Sequence, residues 1–191
     1  MQVSSAQNDT DVDVYTVQRG DSLWKISVKY QVGLSEIIAA NPRFSNPNLI
    51  YPGDKVTIPL LTNVKSIEYQ VFQLVNQERA ANGLSPLKAN WQLSRVARTK
   101  SQDMRDRGYF SHTSPTYGSP FDMMRAFRIN FSSAGENIAA GQTTAKQVMQ
   151  SWMNSPGHRK NILSANYTEI GVGYVSGGSQ RYYWTQMFIR P

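Results

Sequence analysis

The chain contains no cysteine. That absence excludes disulfide bridges, thiol nucleophiles and cysteine-bound zinc, so a metal could be held only by His, Asp or Glu. Histidine is nearly absent as well: there are two in 191 residues, both in the second half. Acidic residues are outnumbered 13 to 20 by basic ones, for a net charge of +7 with the histidines neutral. No apolar run approaches the roughly 20 residues needed to cross a bilayer. The first ten residues have neither a basic n-region nor an apolar h-region, so no signal peptide is expected in them.

What is present describes a folded protein. Apolar residues make up 40% and aromatics 11%, and the length is sufficient for one or two cores. Charge divides unevenly: residues 63–191 carry 15 Lys and Arg against 7 Asp and Glu, whereas residues 1–62 carry 5 against 6. A basic second half suits an anionic polymer or peptide. Its charges form neither a basic helix face nor an aromatic-rich sheet, so nucleic acid is not an expected partner.

Residues 1–12 are polar and expected to be disordered. From residue 13 to 60 the pattern is a compact βααβ unit. Asp13 to Val17 alternates as a strand. Asp21 or Ser22 can cap the following helix, in which Leu23, Ile26 and Tyr30 form one apolar stripe ended by Gly33. A second helix from Ser35 to Ala40 stops before Asn41 and Pro42, and Lys55 to Ile58 closes the unit as a strand. Trp24 is expected in the core.

This stretch closely resembles a LysM domain. The resemblance rests on Tyr15-Thr-Val-Gln-Arg-Gly-Asp-Ser-Leu-Trp-Lys-Ile26, then Leu34, Ile37, Asn41 and Pro42, then Leu49-Ile-Tyr-Pro-Gly-Asp-Lys-Val56 with Ile58 and Pro59. It implies binding to N-acetylglucosamine polymers, chiefly peptidoglycan or chitin. The implied groove is formed by Gly20, Asp21, Ser22 and Leu23 facing Asn48, Leu49 and Ile50. Backbone N–H and C=O groups would grip acetamido groups there, and small apolar side chains would hold the N-acetyl methyl.

Residues 61–65 read as a short linker, and 66–191 as a second domain. Helices are expected over Ile67–Asn82, from an Asn90 cap to Gly108, over Pro120–Phe127, and from Thr143 or Thr144 to Asn154–Gly157. Two strands, Thr168–Tyr174 and Tyr182–Ile189, close the chain as a hairpin. Helices followed by a hairpin argue for an α+β fold, with helices packed on a small antiparallel sheet.

Both histidines sit in polar clusters, Tyr109-Phe-Ser-His112-Thr-Ser-Pro115 and Trp152-Met-Asn-Ser-Pro-Gly-His158-Arg-Lys-Asn-Ile162. Between them lies Ala134-Gly-Glu136-Asn137-Ile-Ala139. A carboxylate and two imidazoles on three segments can meet only through folding, as metal ligands and acid–base groups do. Three separate structural uses, in turns, a helix cap and a solvated ring, are the alternative, and spacing alone favours them. Trp152 and Trp184 are expected in the core, and Asn137 and Asn161 are expected to satisfy buried backbone groups.

These clusters, with Asn76-Gln-Glu-Arg-Ala80 and Ile170-Gly-Val-Gly173, resemble the bacterial branch of the CAP superfamily, also called SCP-like. The resemblance implies an α-β-α sandwich, an extracellular or envelope location, and a central cleft. His112, Glu136 and His158 take three of the four positions of a His/acid tetrad found in many eukaryotic members. The fourth, a glutamate shortly after the tryptophan, is absent: Trp152 is followed by Met153, Asn154 and Ser155.

Three uses of such a cleft stand side by side. His112 and His158 can hold Zn²⁺ with water at the remaining positions, with Glu136 orienting a ligand or acting as a base. The three residues can form a hydrogen-bonded cluster that shapes a binding cleft. A metal-assisted wall hydrolase or peptidase is the third use, against which stand the missing acid and the lack of a His-Glu-x-x-His helix. The expectation from sequence is a cell-wall-binding protein, extracellular and wall-associated, whose LysM domain anchors a non-catalytic CAP domain. The CAP cleft would take a protein, lipid or wall ligand. A spore-coat or envelope assembly protein is the further alternative.

Overall fold

A computed structural model describes residues 11–191. It divides into two compact units with the boundary between Lys65 and Ser66. The first ten residues of the segment expected to be disordered lie outside the described range, and Val12 already opens a strand.

In the first unit β1 (Val12–Thr16) pairs antiparallel with β2 (Lys55–Pro59), Val14 opposite Thr57. Between them run α1 (Leu23–Tyr30) and α2 (Leu34–Ala40). Leu23, Ile26, Val32, Ile37, Val56 and Ile58 form the core. Ser22, not Asp21, caps α1, its hydroxyl accepting from the Lys25 N–H. The helix ends at Gln31, left-handed at φ 51°, two residues before the expected stop. Gly33 instead begins α2, because Val32 must turn inward between the helices. Asn41 is the unit's buried polar pin: its Nδ2 donates to Ile37 O and Thr57 O, both at 2.7 Å, and its Oδ1 accepts from Thr57 N at 2.8 Å. One side chain thereby closes α2 onto β2.

Trp24 corrects the sequence expectation. It is 58% exposed, because it follows Leu23 by one position, about 100° around the helix from the inward stripe.

The second unit contains α3 (Thr62–Ala81, beginning within the first unit), β3 (Lys88–Ala89), α4 (Trp91–Arg107), α5 (Pro120–Ala126), β4 (Ser133–Ala140), α6 (Ala145–Asn154), α7 (Pro156–Ile162), β5 (Glu169–Ser176) and β6 (Tyr182–Arg190). Residues 62–65, read as linker, are therefore the first turn of α3. The sheet order is β3-β5-β6-β4, antiparallel except for the short β3–β5 pair.

Alternation along β4 assigns the layers. Ile138 packs with Met104 of α4, and Ala134 packs with the cluster of Leu93, Val96, Met123 and Met187. Asn137, on the opposite face, bonds to α7. Helices thus cover both faces of the sheet, in an α+β sandwich. α4 lies unusually close to β5, since a Cβ on Gly171 would strike the Leu93–Ser94 backbone and one on Gly173 the Ala97–Arg98 backbone. Two glycines two residues apart on one face admit the helix backbone.

Asn90 and Thr144 cap α4 and α6, and Gly108 ends α4 in the left-handed region, as the sequence predicts. Trp152 and Trp184 are buried, as expected. The strand β4, the short β3 and the helix α7 were not anticipated. Ser155 both ends α6 and begins α7, with Pro156 at the first helical position, so this proline starts a helix where the sequence suggested a stop.

Candidate functional site

The site in the second unit begins with two charged side chains three residues apart on α4. Lys100 is fully buried, and its Nζ donates to Ser111 O (2.8 Å), His112 O (2.9 Å) and Tyr109 Oη (3.2 Å). Asp103, one turn on, accepts from Tyr109 Oη (2.6 Å), Ser114 Oγ (2.7 Å) and Thr116 Oγ1 (2.7 Å). Mutual backbone bonds between Ser114 and Gly118 close the loop behind them. An ammonium and a carboxylate on one helix face therefore hold segment 109–118, and with it His112.

Glu136 comes from β4, which is the sheet edge. Its Oε1 lies 2.8 Å from His112 Nδ1, and its Oε2 is buried without a hydrogen-bond partner among the described residues. With the carboxylate ionised, Nδ1–H is the donor of this bond. Burial raises the Glu136 pKa; the His112 hydrogen bond and the Lys100 charge oppose the shift without cancelling it. Burial lowers the Lys100 pKa, opposed by Glu136 and Asp103.

His158, on α7, approaches from the other layer around the edge strand. Its backbone carbonyl accepts from Asn137 Nδ2 at 3.1 Å. Asn161 Nδ2 reaches Asn137 Oδ1 (2.9 Å) and Glu136 O (3.2 Å), so both asparagines secure backbone as expected. Burial lowers the His158 pKa, and the nearby His112 charge adds to the effect. The structure thus joins His112 to Glu136 directly and brings His158 within electrostatic reach of His112.

Among the described residues, no three of His, Asp and Glu are grouped to share one metal ion. A zinc ion here would have two protein ligands, with Glu136 orienting His112 through Nδ1. Glu169 stands apart, accepting from Asn90 Nδ2 at 2.7 Å. Sequence reasoning missed Lys100 and Asp103. Their spacing of three was the available signal, but it is common on solvated helix faces.

In the first unit the two loops expected to hold sugar are tied at their base. Val17 N–H donates to Asp54 O and Gly53 N–H to Val17 O, both at 2.9 Å. Gly20 and Gly53 have φ of 88° and 96°, the left-handed region that tight turns require. Asp21 accepts from Gln18 N–H and Tyr15 Oη, and these bonds lower its pKa. Ser22 is engaged as the cap of α1. Leu23 is a core residue, which removes its side chain from the expected groove because it heads the buried stripe of α1. Leu49 is exposed, Asn48 is exposed with its N–H donating to Asn46 Oδ1, and Ile50 leans on the core. The exposed apolar surface includes Trp24 and Tyr51, which the sequence reading had not assigned to binding.

No described helix is long and apolar enough to cross a membrane. Residues 15–59 match the LysM domain, and residues 72–188 match the Cysteine-rich secretory protein family, CAP. The chain is similar to YkwD of Bacillus subtilis, 57% identical over 128 residues that make up 67% of this chain and 49% of that protein. A solved extracellular SCP-domain protein of Bacillus anthracis superposes with a TM-score of 0.62 at 36% identity, covering 73% of this chain and 47% of that one. SpoIVD-associated factor A of Bacillus subtilis is 50% identical over 46 residues, 24% of this chain and 12% of that protein. The chain spans about half or less of the length of these relatives. Since the CAP match extends from α3 through β6 and includes His112, Glu136 and His158, the chain belongs to the cysteine-rich secretory protein (CAP) family and carries a LysM domain ahead of it.

Proposed function

We propose that the protein binds cell-wall polymers containing N-acetylglucosamine, peptidoglycan foremost, through its LysM domain, and that its CAP domain is a non-catalytic binding module held at the wall. The observation that carries this reading is the complete LysM pattern over residues 15–59. Exposed Trp24, Leu49 and Tyr51 supply apolar faces of the kind that pack on sugar rings and acetamido methyls. Such polymers lie outside the cell membrane, so the working location is extracellular and wall-associated. In the CAP domain, Asn154 and Ser155 stand where a second acid would complete the tetrad, which supports binding over hydrolysis.

A wall hydrolase is the second reading, and Glu136 favours it. A buried carboxyl with a raised pKa and one oxygen unengaged has the properties of a general acid.

Sedimentation with purified peptidoglycan, followed by mass spectrometry of the supernatant with and without Zn²⁺, separates the two. Binding reading: the full chain sediments, Trp24→Ala/Leu49→Ala weakens it, and no new fragments are released. Fragments that disappear in His112→Ala/His158→Ala would replace it with the hydrolase reading. Undiminished sedimentation after deletion of residues 1–60 would show that charge, not the LysM domain, drives attachment.

A further inference from the structure

A cavity of about 440 Å³ opens in the CAP domain and includes Arg79, Ser85, Lys88, Thr168 and Arg190 in its wall. None of the residues of that wall is acidic. Arg79, from α3, is 2% exposed. Its Nε donates to Ser85 O at 2.9 Å, and its Nη1 donates to Ile162 O and Ser164 O, each at 2.8 Å. Three backbone carbonyls thus fix the plane of the guanidinium, while Nη2 has no partner among the described residues. No carboxylate pairs with it, so its charge is answered only by carbonyl dipoles.

That arrangement is unusual energetically. A buried guanidinium keeps its proton and ordinarily pairs with an anion. Burial does depress the Arg79 pKa, as expected for an uncompensated charge. Arg190 repeats the design at the rim: its Nε and Nη2 donate to Asn166 O (2.7 Å) and Ala165 O (2.9 Å), which leaves Nη1 over. Lys88 has no partner for its ammonium among the described residues. The carboxylate beside it in the sheet, Glu169, is drawn off to Asn90 and is not part of the wall.

We propose that this cavity binds a small oxyanion, a carboxylate or a phosphate group, with Nη2 of the otherwise buried Arg79 as the anchor and Lys88 and Arg190 as the rim. The volume exceeds that of a bare ion and lies within the range of small-molecule sites, so the ligand is an organic anion or the charged end of a polymer unit. Two prefixed guanidinium groups suit the planar carboxylate and the phosphate fork alike. The site is separate from His112, Glu136 and His158 and does not depend on their role.

The test is titration of the full chain with glycerol 3-phosphate and with N-acetylalanine, followed by ¹⁵N NMR at the Arg79 Nε–H and the Ser85 and Thr168 amides. Glycerol and N-acetylalanine amide serve as neutral controls. Saturable shifts are expected with a charged probe and not with its neutral counterpart. Lys88→Gln/Arg190→Gln should weaken binding about tenfold or more. Arg79→Lys, which keeps the charge and loses the fork, should weaken it further; should that variant fail to fold, the rim variant still decides. The tighter of the two probes identifies the ligand as phosphate or carboxylate. Absence of saturable shifts with either probe, or unchanged affinity in the rim variant, overturns the proposal.

Discussion

Nδ1 of His112 lies 2.8 Å from Oε1 of Glu136, yet the two side chains differ sharply in exposure, 53% for the imidazole and 1% for the carboxyl. The histidine meets solvent while the acid beneath it cannot. Such a pair presents a ring whose orientation is set from below.

Glu136 and His158 should pull stability in opposite senses with pH. A carboxyl with a raised folded-state pKa favours the fold in its neutral form. Its contribution is present below about 4.5 and is lost as pH rises through the folded value. An imidazole with a lowered pKa contributes above 6.5 and loses that contribution as pH falls. Urea unfolding across pH 4 to 8 should therefore show wild type losing ground to Glu136→Gln as pH rises past 4.5. It should lose ground to His158→Gln as pH falls below 6.5. Parallel curves for wild type and variants would refute both assignments.

Lys100→Met keeps an unbranched side chain, shorter by the terminal nitrogen, and removes three hydrogen bonds from a charged donor. We expect a loss of about 2–4 kcal/mol, since the carbonyls of Ser111 and His112 and the Tyr109 hydroxyl all lose this donor. The His112 ring resonances should broaden as segment 109–118 loosens. A variant that is destabilised with sharp, unshifted His112 resonances would confine Lys100 to a general core role.

Gly173→Ala drives a methyl into the backbone of Ala97 and Arg98. Neither partner is a flexible side-chain end, so the loss should be at least about 2 kcal/mol. Gly157→Ala in α7 is the control, because a Cβ there meets nothing within 4 Å and alanine suits a helix better by about 1 kcal/mol. Thermal melts of the two variants should move in opposite directions.

Zinc titration followed at the two histidine rings should shift both, and His112→Ala/His158→Ala should abolish the response with little change in fold. Two protein ligands make a weak site, below the three or four that hold zinc tightly. Unchanged zinc affinity in the double variant would remove His112 and His158 from metal binding.

The physics of the sequence alone determined a good deal. Apolar stripes located α1, α4 and α6, Asn90 marked the start of α4, the caps of α1 and α6 were narrowed to Asp21 or Ser22 and Thr143 or Thr144, and the hairpin pattern located β5 and β6. The motif order gave both domains and the residue types of the site. These signals are local, set by the helix and strand periods and by hydrogen bonds within one turn.

Tertiary structure decided the remainder. Ser133–Ala140, rich in alanine and glycine, is a strand because β6 pairs with it along its whole length. Glu68 and Arg79 lie on the buried stripe of α3 beside Val71 and Val75. Glu68 meets Arg98 through two bonds of 2.8 and 2.6 Å, and Arg79 meets carbonyls more than eighty residues away. Lys100 is buried because Tyr109 and the carbonyls of Ser111 and His112, in the loop beyond its own helix, replace its water. A charged side chain reads as solvated from its neighbours in sequence, and only a distant partner that replaces water can bring it inside.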